Sequence, residues 1–184
     1  KYSSNEHGII LKEYNEKYPD EKINSFKYQN LNSQIWLDTG DAEGKFMSFT
    51  EAVISRLKYL KNNFNLDLNY YQVPGAVHSE TAWAARVHCP LLYFYGELGK
   101  LKKIKLIGKN KIALQSSKER INPVLTFENN FKITALKGEF KSLRPEILKI
   151  SKNGVLRPLK PGRAVIEFRN SNHKVRKKIK IIKK

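Results

Sequence analysis

The chain has 184 residues, 40% of them hydrophobic and 28% charged, which is the composition of a folded protein and excludes wholesale disorder. No apolar run approaches the roughly 20 residues that span a bilayer, and the start KYSSNEHG is not a signal peptide. A single cysteine, Cys89, excludes an internal disulfide and a cysteine-based zinc site. The formal charge of +18 is unevenly spread, since residues 1–98 carry 10 basic and 12 acidic side chains and residues 99–184 carry 25 and 5. So abrupt a shift, near Gly96-Glu-Leu-Gly-Lys100, predicts two modules, 1–98 and 99–184.

In the first module Gln34-Ile-Trp-Leu-Asp38 is a short apolar run stopped by Thr39-Gly40, the pattern of a buried parallel strand. The turn Gly40-Asp-Ala-Glu-Gly44 carries two carboxylates, and Ser48-Phe-Thr-Glu51 reads as a capping box. Behind it Val53, Leu57, Leu60 and Phe64 recur at helical spacing. Leu66 to Val73 reads as a second strand, closed by Pro74-Gly75. His78 follows, and then a helical stretch from Glu80 to about Tyr95, with an interruption expected near Pro90. In an open parallel sheet the loops after the strands share one edge, so an acid after one strand and a histidine after the next are placed to meet. The plainer alternative is a loop histidine beside acids that only cap the next helix.

The stretches IWLDTGDAEG and VPGAVHSETAWAARV resemble the C-terminal part of the esterase family of α/β-hydrolases that includes enterobactin and feruloyl esterases. The resemblance rests on Gly40-Asp-Ala-Glu43 and, 35 residues on from the acid, Gly75-Ala-Val-His78, followed by Trp83. It implies an α/β fold in residues 1–98, His78 as general base and Glu43 as its orienting acid, with Asp41 and Asp38 as rival acids. Trp83 would pack beside the site, and His7 and His88 would have no part in it. The family's Gly-x-Ser-x-Gly nucleophile turn is missing from the chain, so the nucleophile serine is absent and this chain alone is expected to be inactive. The expectation that follows is the C-terminal part of a serine esterase completed by an upstream segment. Gly8 to Tyr14 would lie between the missing nucleophile helix and the acid strand. The substrate would be a small-molecule or polysaccharide-linked ester, with no metal or organic cofactor.

From Leu101 the pattern changes to short strand-like runs: 104–107, 124–127, 131–136, 147–150, 164–168 and 175–182. Turn residues such as Glu128-Asn-Asn130, Lys152-Asn-Gly154 and Lys160-Pro-Gly162 separate them, which predicts an all-β sandwich. The segment PEILKISKNGVLRPLKPGRAVIEF resembles the bacterial immunoglobulin-like group 2 module, and so implies a location outside the cytoplasm or on the cell surface. Of the 25 basic residues here, 19 are lysines without interleaved aromatics, which speaks against nucleic acid. Two readings of the charge stand beside each other: a solvated surface that protects strand edges, and a surface for an anionic envelope polymer. The second gives the rival function, a non-catalytic surface protein that binds a polyanion through its basic domain.

Overall fold

The computed structural model describes residues 34–43, 47–63, 66–117 and 119–183, all within one compact unit, Ser33–Lys184. The expected element at Gly8 to Tyr14 lies outside the described residues, as do the side chains of Ser48 and Glu51, Leu60 and Phe64.

Strand β1 (Gln34–Gly40) and strand β2 (Asp67–Val73) pair in parallel, from Gln34 opposite Asp67 to Gly40 opposite Val73. Helix α1 (Met47–Asn63) connects them and turns Ile54 and Leu57 into a cluster with Leu68, Tyr70 and Leu136. The buried stripe is therefore carried by Ile54 with Leu57, while Val53 is 40% exposed. Helix α2 (Glu80–Ala84) starts at Ser79, whose hydroxyl accepts from the Ala82 N–H at 3.3 Å. Helix α3 (His88–Tyr95) contains Pro90 in its first turn, where a missing N–H removes no helical hydrogen bond. The chain accordingly breaks at 85–87, ahead of the proline.

The remaining strands form three further sheets. Strand β3 (Leu101–Ile107), strand β5 (Asn122–Phe127) and strand β6 (Lys132–Thr134) make a three-stranded antiparallel sheet. Strands β4 (Lys111–Ala113), β11 (His173–Ile182), β10 (Gly162–Asn170) and β7 (Glu139–Ser142) make a four-stranded sheet in that spatial order. Strands β8 (Leu148–Ile150) and β9 (Leu156–Pro158) form a short hairpin. The two larger sheets share a core in which Leu106, Leu125, Ile166, Phe168, Ile179 and Ile181 are at most 9% exposed.

Strand β5 is buried at nearly every position because it has neighbours on both faces. Leu125 points into the core shared with the four-stranded sheet. Val124 points the other way, into a cluster with Tyr71, Cys89, Tyr93 and Phe131. A buried polar bridge reinforces that second contact. The Gln72 N–H donates to Thr134 Oγ1 at 2.9 Å, the Thr134 hydroxyl donates to Asn122 Oδ1 at 3.0 Å, and Asn122 Nδ2 donates to the Gln72 carbonyl at 2.8 Å. The Gln72 backbone and the Thr134 and Asn122 side chains that form the bridge belong to residues no more than 4% exposed, where water is not at hand to supply these bonds.

The expectation of an α/β-hydrolase sheet followed by an immunoglobulin-like sandwich is corrected here. The described residues are mainly β, arranged in several small sheets, and parallel pairing is confined to β1–β2 and the short β4–β11 contact. Strands β1 and β2 read as members of a large parallel sheet because they are apolar, but their faces are covered by α1, α3 and elements of the β-rich part.

Candidate functional site

The parallel register sets the ends of β1 and β2 side by side, and the loops that follow are tied together. The Asp41 N–H donates to the Val73 carbonyl and the Ala42 N–H to the Ala76 carbonyl, each at 3.0 Å. Gly40 is required by that approach, since a Cβ there would lie 2.1 Å from the Ala76 carbonyl oxygen. Asp41 Oδ1 accepts from the Gly75 N–H at 2.5 Å, where Gly75 turns with φ +72°. Asp41 thus holds the turn.

Glu43 reaches back to accept from the Gly40 N–H at 2.8 Å, and its other oxygen lies 3.3 Å from His78 Nδ1. The His78 ring, 58% exposed, stands edge-on to Trp83 with centroids 4.9 Å apart. Asp38 accepts from Trp36 Nε1 at 2.8 Å and from Arg86 Nε at 2.7 Å. Arg86 is 5% exposed, donates from Nη1 to the Ala82 carbonyl at 2.9 Å, and lies 3.7 Å from Glu43. So the structure brings His78, Glu43 and Trp83 together, while Asp38 and Asp41 serve other partners. Sequence reasoning missed Arg86, the cation that neutralises both Asp38 and Glu43; its signal was a lone arginine in the apolar run Ala84-Ala-Arg-Val87. The arrangement orients a histidine ring through one nitrogen. A recess of about 500 Å³ lies alongside, bounded by Tyr71, Pro74, Ser79, Arg86 and Lys132. Among the described residues no three histidine, cysteine or carboxylate side chains are grouped to hold a metal.

A second constellation covers the outer face of the four-stranded sheet. Alternation along β11 buries Ile179 and Ile181 and turns Lys174, Arg176, Lys178 and Lys180 outward. The register sets Arg163, Val165, Glu167 and Arg169 of β10 beside them, with Glu139 and Lys141 of β7 next to β10 and Lys111 of β4 next to Lys180. The outward positions of these strands carry eight basic residues and two acidic ones, and no aromatic. Lys177 points to the inner side opposite Ile166, at a level where β4, paired only with residues 180–182, leaves β11 as an edge. Burial lowers its pKa, and a charge there discourages a further strand from docking.

The two halves of this face differ. In one, Glu167 is 1% exposed under the arms of Arg169 and Arg176, whose Nε atoms donate to it at 2.7 and 2.8 Å, with Lys174 Nζ at 3.8 Å. The two guanidinium hydrogen bonds hold its pKa down at about 2. In the other half Lys111, Lys180 and Arg163 stand side by side across three strands, and none of them makes an ion pair among the described residues. A groove of about 980 Å³ runs over this half and extends to Arg176 of the first, lined by Asn110, Leu143, Arg144, Arg163, Val165, Lys178 and Lys180 among others. The lysine-rich run of β11 was the sequence signal for it, and that signal fits both edge protection and a surface for an anionic envelope polymer.

No family model matches the chain, and no curated protein matches it. Among solved structures it is similar to domains 4–9 of the surface layer protein SbsC, at 16% identity and a TM-score of 0.37, over 47% of this chain and 16% of that one. It is also similar to domains 1–6 of SbsC, at 14% identity and a TM-score of 0.37 over 48% of this chain and 15% of that one. With SbsC domains 4 and 5 the identity is 19% and the TM-score 0.34, over 47% of this chain and 53% of that one. The chain therefore spans about half or less of the length of each. The expected membership in the esterase family, and the hydrolase function drawn from it, are corrected by these findings, as is the immunoglobulin-like group 2 assignment. No helix among the described residues is long and apolar enough to cross a membrane.

Proposed function

We propose that the chain is a non-catalytic protein of the cell surface that holds an anionic polymer on the outer face of its four-stranded sheet. The observation that carries this is the eight-to-two excess of basic over acidic residues at the outward positions of four adjacent strands. A rigid sheet presents these charges at fixed spacing, alternate residues about 6.6 Å apart along a strand and neighbouring strands about 4.8 Å apart. The face has no aromatic on which a base could stack, which favours a polymer read through its charge over a single-stranded nucleic acid.

The test is binding of long-chain polyphosphate to the full chain, followed by calorimetry at several salt concentrations. Neutralising about four phosphates predicts an affinity that falls on the order of 10²-fold between about 50 and 200 mM salt. Absence of binding at low salt would overturn the reading. His78→Ala is expected to leave binding unchanged, because the histidine belongs to the β1–β2 corner and not to this sheet.

A further inference from the structure

We infer that the anion is anchored at one end of the basic face, on the row Lys111–Lys180–Arg163 with Arg144 beside it, and that this row selects an anion with adjoining phosphoryl groups. The inference rests on the reading of the face as a polyanion surface, and it locates the site and names the ligand chemistry.

Registration is the first support. Lys180 is paired with Arg163 on one side and with Lys111 on the other, and all three side chains are exposed on the same face. Three positive charges thus lie within about 10 Å across three strands. Like charges directly opposite one another destabilise a sheet, so the row opposes folding unless an anion is drawn onto it.

The second support is the contrast along the same strands. The row Lys141–Glu167–Arg176 and the row Glu139–Arg169–Lys174 each include a carboxylate. Glu167 alone engages Arg169, Arg176 and Lys174. That half is neutralised from within, and an incoming anion would have to displace Glu167 from bonds of 2.7 and 2.8 Å.

The third support is the groove, which gathers Arg144, Arg163, Lys178 and Lys180 around Leu143 and Val165 and reaches the compensated half at Arg176, while Lys111 stands outside it at the end of the row. Two guanidinium forks can each take a phosphoryl group through paired N–H donors, and the lysines add point charges between them. Three to five cations so close exceed what a single carboxylate neutralises, which is why adjoining phosphoryl groups fit better than isolated carboxylates.

Calorimetry at fixed ionic strength tests this with two probes, tripolyphosphate and long-chain polyphosphate, against polyglutamate. The wild-type chain is expected to bind tripolyphosphate, and polyglutamate more weakly. R163Q/K180Q is expected to lose about tenfold in tripolyphosphate affinity, and K141Q/K174Q in the other half less than about twofold. Lys111→Gln, at the outer end of the row, gives the same direction from a single exposed position if the double variant does not fold. Equal losses in both halves, or binding of the long chain without tripolyphosphate, would overturn the anchored site and leave the polyanion reading standing. Equal affinity for polyglutamate would overturn the phosphoryl preference. Failure of the wild-type chain to bind any of the three would overturn the reading and the inference together.

Discussion

The corner around Arg86 and the row around Lys180 are both clusters of charge on a sheet, and they are built in opposite ways. At the corner one buried cation meets two carboxylates, Asp38 at 2.7 Å and Glu43 at 3.7 Å; Gly40 shares the Glu43 oxygen nearest Arg86, and the two remaining oxygens are taken by Trp36 and His78. At the row, cations face cations across three exposed strands. The first arrangement is closed: its charges satisfy one another and fix two loops. The second is open. A charge cluster that looks chemically rich can thus be structural, while a plain run of lysines holds the unsatisfied charge that a ligand can use.

Removing the centre of the closed cluster is the largest perturbation. Arg86→Met keeps much of the side-chain volume but leaves two largely buried carboxylates without their cation, and breaking a buried pair from one side costs about 3 kcal/mol or more. Urea denaturation should show a lower midpoint by that amount; a midpoint unchanged from wild type would mean that the corner is not closed as described. Thr134→Val is expected to be next in size. It conserves shape but strips the acceptor from the Gln72 N–H and the donor from Asn122 Oδ1, a loss of about 2 kcal/mol for buried groups. If β2 and the β5–β6 pair unfold as one unit, the transition should remain single while it shifts; two separate transitions would show that residues 1–98 and 99–184 are independent modules.

Much of the local structure could be read in advance, because local structure depends on patterns that lie within one segment. Apolar runs ended by Gly or Pro marked β1 and β2, and turn residues at 128–130 and 152–154 marked the ends of β5 and β8. Strands β4, β7 and β9 were not seen because they lack an apolar run of their own, whereas β6 and β8, as short, fall inside the runs 131–136 and 147–150. Fold class was not legible, since an apolar strand says that both its faces are covered and not by what. Large parallel sheets and small sheets covered by helices and a neighbouring β layer produce the same run, and β1, β2 and β5 are of the second kind. The meeting of His78 with Glu43 was readable from their positions after adjacent parallel strands. Arg86, 48 residues from Asp38, was not, because nothing in its own segment points to a partner so far away.

Acid sharpens the contrast between the two halves of the basic face. Glu167 is held at about pH 2 by Arg169 and Arg176, below the ordinary glutamate value of about 4.3. In that interval the unfolded chain binds a proton that the folded chain does not, so the stabilisation is complete above about pH 4.3 and is lost as pH falls toward about 2. Thermal melting across this interval should show Glu167→Gln less stable than wild type near neutral pH, with the two curves converging in acid. Parallel curves would mean that Glu167 is not the group the two guanidiniums hold.

The smallest expected effect has the opposite sign. Lys180→Gln removes the middle charge of the open row and relieves two cross-strand repulsions, with Arg163 and with Lys111. The chain should become more stable by about 0.5 kcal/mol at low salt, and the gain should fade as salt screens the charges. At a purely structural surface such a gain would come without loss elsewhere. Here it should accompany weaker phosphate binding, because the same repulsion that strains the row is what an anion relieves. A stabilised variant with undiminished affinity would separate the two effects and break the comparison with the closed corner, where removing a charge can only destabilise.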